Sequence, residues 1–212
     1  MPFVDDDSDK QIAQALMDAS HPEPYQQYWY KLGKFIHDFS GTEAALLVLL
    51  RQIAGVTKEV AGVLFSGTRS DAAKDLINGI LETYGKKEQK ERLARPFEQF
   101  GTINTIRNHA VHWGANLVSN EMIISNNHLS PRPSKAKQFI ITAADFDKIC
   151  ADLFVIRIFF DREIFPRLPV WKELPQEIFE RPWRYKPPQQ PLPKKEPRVH
   201  HPKRSRQPPS SY

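Results

Sequence analysis

Residues 32–54 read LGKFIHDFSGTEAALLVLLRQIA. Within them Leu32, Ile36, Phe39, Glu43, Leu46, Leu50 and Ile53 follow one another at alternating steps of four and three. That is the 3.6-residue period of a helix with one buried face; a strand would repeat its apolar positions every second residue. The spacing therefore predicts a long helix over residues 25–54, stopped by Gly55. It also places a carboxylate, Glu43, inside the apolar line.

The same period recurs on both sides. Thr57, with Glu59 in the first turn, opens a short helix to about Phe65, and Ser66-Gly67-Thr68 reads as a turn. Ser70 caps a helix over 71–84 whose face is Ala72, Ala73, Leu76, Ile77, Ile80 and Leu81, and Gly85 ends it. The charged run 86–95 reads as the exposed start of a further helix, kinked or restarted at Pro96. Its stripe is Phe97, Phe100, Ile103, Arg107, Ala110, Gly114 and Leu117. Two β-prone runs, 122–125 and 138–142, flank the turn-rich residues 126–137 and are expected to pair as a small hairpin. Thr142-Ala143-Ala144-Asp145 resembles a capping box, opening a core helix with Phe146, Ile149, Leu153, Ile156 and Phe160 that ends at Phe165-Pro166. Upstream, residues 8–19 form a short amphipathic helix, and the prolines of His21-Pro22-Glu23-Pro24 force an extended connection.

The expected fold class is all-α: a compact helical bundle with a small β-hairpin insertion and a disordered, proline-rich C-terminal tail. Four segments follow: an N-terminal segment with its short helix (1–22), the bundle (23–168), an aromatic and proline strap (169–186) and a basic proline-rich tail (187–212). The strap carries Trp171, Ile178, Phe179, Trp183 and Tyr185, enough apolar surface to dock. Beyond Pro187 almost nothing apolar remains to offset the entropy of ordering.

The net charge of +5 belongs to that tail, where Lys194, Lys195, Arg198, Lys203, Arg204 and Arg206 face a single acid, Glu196. The body balances, so its charge gives no sign of a basic nucleic-acid-binding surface. The tail is suited to solubilising the chain, or to attracting RNA phosphate or an acidic partner without sequence preference. A single Cys excludes a disulfide framework and a multi-cysteine zinc site and favours a reducing compartment. The start, MPFVDDDSDK, lacks the basic end and apolar run of a signal peptide, and no apolar window approaches the roughly 20 residues of a bilayer span. These features lead to an expected cytoplasmic location and no membrane partner.

The segment richest in chemistry is TIRNHAVHWG, residues 105–114, with an Arg, an Asn and two His on a helix that also packs into the core. Buried polar groups need a reason. Asn108 and His112 lie one turn apart on one face, so the amide is placed to orient the imidazole. Arg107 and His112 are five apart, about 140° around the axis and about 7.5 Å along it, so one straight helix aims them apart. Ala110 and Gly114, small residues near that face, would admit a close partner.

Arg107-Asn108-x3-His112, in an all-α context after a long helix with an embedded acid, resembles the HEPN superfamily, over roughly residues 25–166. Of that family's motif, an Arg, then a polar residue, then a His after four to six intervening positions, no other Arg in the chain has a partner His. The resemblance implies a metal-independent endoribonuclease or RNA-binding domain. It implies a homodimer whose two motifs face each other, and, by analogy with toxin and defence proteins, a neutralising partner protein. It assigns His112 as acid or base, Arg107 as phosphate clamp and Asn108 as orienting group, with no cofactor or metal. Glu43, read either as a buried acid paired with Arg107 or a backbone group or as a support for Arg107 and His112, and His109, which the pattern does not fix, stand beside them as supporting candidates. Two other readings stand beside it. One is a non-catalytic helical dimerisation or interaction module using the 107–113 face. The other is a metal-dependent helical enzyme using His109, His112 and Glu43. Cys150, inside the last core helix, reads as a small core residue without a basic partner.

Overall fold

The computed structural model describes residues 23–112, 114–118, 121–125 and 138–187. The long helix expected from the opening stripe is α1, Glu23–Ala54. Pro24 falls in its first turn, where a missing amide costs no helical hydrogen bond, so the helix begins two residues before Tyr25 and takes in part of the expected extended connection. Leu32, Phe35, Phe39, Leu46, Leu49 and Leu50 are buried, while Ile36 and Ile53 are only partly so. The buried line is therefore centred slightly to one side of the stripe the sequence suggests. Gly55, at φ +68°, breaks the helix in a conformation other residues rarely adopt.

Thr57 caps α2, Lys58–Leu64, accepting from the Val60 amide; α2 buries none of its residues. α3, Ser70–Thr83, packs Ala73, Ile77 and Leu81 inward, but Ala72 and Leu76 of the expected face are exposed, and Gly85 follows the helix at φ +66°. Ser70 is the first helical residue rather than the cap, and Arg69 at the cap makes no side-chain bond. Ser70 Oγ instead donates to Glu43 across to α1.

The charged run and the stripe after it form one helix, α4, Lys87–His112, with Pro96 buried inside it. An interior proline costs a helix about 3 kcal/mol. Burial of Leu93, Phe97, Phe100 and Ile103 on the same helix supplies more than that, at about 1.5–3 kcal/mol per large apolar side chain. The helix stops at His112, and the expected continuation through Gly114 to Leu117 is overturned. Gly114–Val118 is strand β1, antiparallel to β2, Glu121–Ser125, with Gly114 opposite Ser125 and Val118 opposite Glu121. Gly114 matches the helical spacing, but a residue with no side chain marks no face. The expected hairpin is present: β2 pairs with β3, Gln138–Ile141, with Met122 opposite Ile141 and Ser125 opposite Gln138. The result is a three-stranded sheet in the order β1-β2-β3, attached to the core through buried Ile124 and Ile141.

α5, Ala143–Ile164, opens with the capping box: Thr142 Oγ1 accepts from the Asp145 amide and Asp145 accepts from the Thr142 amide. Its Phe146, Ile149, Leu153, Ile156 and Phe160 are buried against α1 and α4. Phe39 of α1 stacks on Phe100 of α4 at 5.1 Å and 8°, and Phe97 meets Phe160 at 5.7 Å, so three helices share one aromatic junction.

The strap docks as expected, as α6, Val170–Glu173, α7, Glu177–Glu180, and an irregular run to Pro187. Phe179 and Tyr185 are buried. Asp152 of α5, with 0% of its surface exposed, accepts from Gln99 Nε2 and from the backbone amides of Arg184 and Tyr185, each at 2.9 Å. Arg95 donates to the carbonyls of Phe179 and Arg181 and lies 4.7 Å over the Trp183 ring. The helix expected over residues 8–19, the hairpin tip 126–137 and the basic tail residues Lys194, Lys195, Arg198, Lys203, Arg204 and Arg206 lie outside the described residues.

Candidate functional site

Along α4 the core-facing line Leu93, Phe97, Phe100, Ile103 reaches Arg107 at its next step. An arginine thus occupies a position where periodicity calls for an apolar residue. Its guanidinium carbon sits 5.5 Å from the centroid of the Phe39 ring, on the aromatic junction just described. Nη1 donates to Asn108 Oδ1 at 2.9 Å. Nε is buried and has no acceptor, and among the described residues no carboxylate lies within ion-pair distance of Arg107. The cation is held by one neutral amide and one ring face.

Asn108 therefore serves Arg107, not the imidazole that its one-turn spacing to His112 suggests. His112 is the last residue of α4 and is exposed, whereas Arg107 turns inward over Phe39. Within one chain the helix aims the two apart, as their five-residue spacing requires. His109 is half-buried.

Glu43 is also half-buried, but it accepts from Ser70 Oγ and makes no ion pair with Arg107. Its carboxylate sits at the N-terminal end of the 14-residue α3, where a helix favours negative charge. It ties α1 to α3 and does not hold the arginine. One turn before Arg107, Asn104 is buried and donates to Asp71 Oδ2 at 3.2 Å; Asp71 in turn pairs with Lys74 at 2.8 Å. Lys74 Nζ lies so close to α4 that a Cβ on Gly101 would stand 2.9 Å from it. A polar seam between the start of α3 and α4 thus leads up to Arg107. The sequence reading missed Asn104, although its spacing of three and four to Arg107 and Asn108 was the available signal.

Among the described residues, no group of three or more His, Cys, Asp or Glu side chains is placed to hold a metal, so Glu43, His109 and His112 are not brought together as a ligand set. Burial, and next the hydrogen bond with Asp38, pushes the Cys150 thiol up to about 11, so it stays protonated at neutral pH. That suits a core cysteine rather than a nucleophile. No described helix is long and apolar enough to cross a membrane. Compared with protein-family models, with curated proteins and with solved structures, the chain matches none.

Proposed function

We propose that this chain is a HEPN-like domain that acts as a dimer on RNA, as a metal-independent endoribonuclease or an RNA-binding protein, through Arg107, Asn108 and His112. The observation that supports this reading is the state of Arg107: a partly buried cation with no carboxylate partner and an unused donor. A purely structural arginine in a core line would be expected to have its charge paired and its donors filled.

The chemistry follows from these groups. Asn108 occupies Nη1; once the side chain turns out from the Phe39 ring, Nε, buried and without an acceptor, and Nη2 offer two parallel donors that match two phosphate oxygens. Moving onto a phosphate gives up a ring contact worth about 0.5–1 kcal/mol for charge-assisted hydrogen bonds worth about 1.5–3 kcal/mol each. The balance favours the phosphate. His112, exposed at the helix end, presents an imidazole able to take the 2′-hydroxyl proton or to protonate the leaving 5′-oxygen. In-line attack by the 2′-oxygen breaks the bond from phosphorus to the 5′-oxygen, leaving a 2′,3′-cyclic phosphate and a 5′-hydroxyl. A second protomer supplies the His112 that one helix cannot turn toward its own Arg107. The basic tail, a neutralising partner protein and a cytoplasmic location belong to the same proposal.

The test is incubation of the full chain with single-stranded RNA in EDTA. Cleavage that disappears in both Arg107→Ala and His112→Ala is the expected result. A dimer that neither cleaves nor binds any RNA tried leaves the alternative, a non-catalytic dimerisation or interaction module. That reading has one observation of its own, Val111, 50% exposed beside His112. It can no longer draw on Gly114, which lies in β1 and not on the helix face.

A further inference from the structure

A cavity of about 550 Å³ lies between α1, α5 and the strap, and neither Arg107 nor His112 lines it. From α1 it is lined by Lys34, Asp38 and Thr42 at four-residue steps, and from α5 by Asp147, Cys150, Phe154 and Arg157 at steps of three and four. Each helix therefore turns one face to it. Arg181 and Arg184 come from the strap.

The charges in this cavity are unequal. Its two carboxylates are already neutralised: Asp38 is 2.5 Å from Lys34, and Asp147 is 2.5 Å from Lys31 outside the cavity. Arg157 reaches Asp161 only at 3.6 Å, and its Nη1 lies against Gly41, where a Cβ would stand 3.2 Å away. Among the described residues Arg181 and Arg184 have no carboxylate partner, and Arg181 Nε is a buried donor without an acceptor. Three arginines thus line a space in which, among the described residues, no acid is left to pair with two of them.

These arginines are also held in place. Arg181 Nη2 donates to the Ala151 carbonyl at 3.3 Å, its own carbonyl accepts from Arg95, and the Arg184 amide donates to fully buried Asp152. The backbone on either side of the short span between them is fixed to α4 and α5, so binding costs little further ordering of the backbone there. Planar guanidinium groups are the side chains best matched to phosphate. Phe154, 64% exposed, stands on the same wall one turn before Arg157, a flat apolar face in a cavity lined by arginines. Aromatic rings so placed stack planar bases, and the volume lies in the range of small-molecule sites.

We infer that this cavity binds a small phosphorylated ligand carrying a planar ring, of the size of a nucleoside monophosphate, with Arg157, Arg181 and Arg184 on the phosphate and Phe154 against the ring. The inference does not rest on the RNA reading, because the two sites share no residue.

Calorimetric titration of the full chain with AMP, adenosine and inorganic phosphate, at low and high salt, tests it. AMP is expected to bind once per chain, more weakly as salt rises, with adenosine and phosphate each at least about tenfold weaker because each lacks one half of the recognition. Arg157→Glu, Arg184→Glu and Phe154→Ala should each reduce AMP affinity by about tenfold or more, while Arg107→Ala leaves it unchanged. Arg184 is exposed and anchored through its backbone, so Arg184→Glu should melt like the parent; if it does not, Phe154→Ala decides. Absence of saturable AMP binding would overturn the inference, as would affinity unchanged in the arginine variants or phosphate binding as tightly as AMP. Displacement of AMP by an RNA lacking a terminal phosphate would overturn it too, by making the cavity part of an RNA surface.

Discussion

Two polar clusters sit on α4, eight residues or about 12 Å apart, and they are built in opposite ways. At Gln99 the buried amide meets Asp152, and that carboxylate takes three donors from three different residues. At Arg107 the charged group has one neutral partner, a ring face and a donor left over. The first cluster is complete as it stands and fastens the strap. The second is incomplete among the described residues, and the packing of α1 and α4 does not complete it. A satisfied buried polar group is accounted for by the architecture, whereas an unsatisfied one calls for a separate explanation, a strained contact, an ordered water or ion, or a ligand.

Substitutions at the two clusters should separate accordingly. Asp152→Ala leaves Gln99 and two backbone amides facing an apolar cavity, and should cost about 3–5 kcal/mol in urea denaturation. Limited proteolysis should then cut between residues 169 and 186; a variant as stable and as resistant as the parent would remove the contrast. On the proposed ribonuclease reading, Arg107→Ala should instead lower the rate of RNA cleavage by about 10²–10³-fold, the usual cost of losing a group that stabilises transition-state charge. Away from both clusters, Thr142→Ala should cost about 1 kcal/mol by removing half of the α5 capping box, and should leave both strap protection and RNA activity intact.

The smallest effect is one of pH. Burial, the largest single influence, pushes the Asp145 carboxyl up, but Lys148 and the Thr142 amide and hydroxyl together outweigh it and hold the group below its ordinary value of 3.8. The unfolded chain therefore binds this proton more readily than the folded one. The contribution is complete at neutral pH, declines as pH falls through the region of 3.8 and is gone below the lower folded value. Asp145→Asn should melt slightly below the parent at pH 7 and together with it in strong acid; a gap that persists in acid would assign the effect to packing instead.

Much of the bundle was legible because its information is periodic. The helices of α1, α3 and α5, the stripe of α5, the Thr142–Asp145 box and the stop at Gly55 rest on local signals, and each is present, while the buried lines of α1 and α3 are centred to one side of the expected stripes. Several of the misses share a cause: they depend on partners far away in the chain. Asp152 sits in an apolar run between Ala151 and Leu153, while its donors lie 53 residues before it and 32 and 33 after it. Ser70 reads as a cap until Glu43, 27 residues earlier, takes its hydroxyl. Arg181 and Arg184 look like ordinary charges in a proline-rich strap until docking brings them to a cavity of α1 and α5. Of the candidate site, the residues were legible as a cluster; the inward turn of Arg107 was not, because it depends on Phe39 of another helix, and the bond from Arg107 to its neighbour Asn108 was not, because helical spacing pairs Asn108 with His112.

The most direct measurement is Arg107→Met, which keeps the bulk of the side chain and removes its charge, followed by thermal melting and by fluorescence anisotropy with a labelled single-stranded RNA. If Arg107 is kept for a ligand, the variant should melt within about 0.5 kcal/mol of the parent, or above it, since an incompletely paired buried cation has been removed. Its RNA affinity should fall about tenfold or more, the loss of a charge-assisted phosphate contact. A variant that melts as far below the parent as Asp152→Ala does, while binding RNA as the parent binds it, would contradict this, and would make Arg107 a second structural fastening like the first.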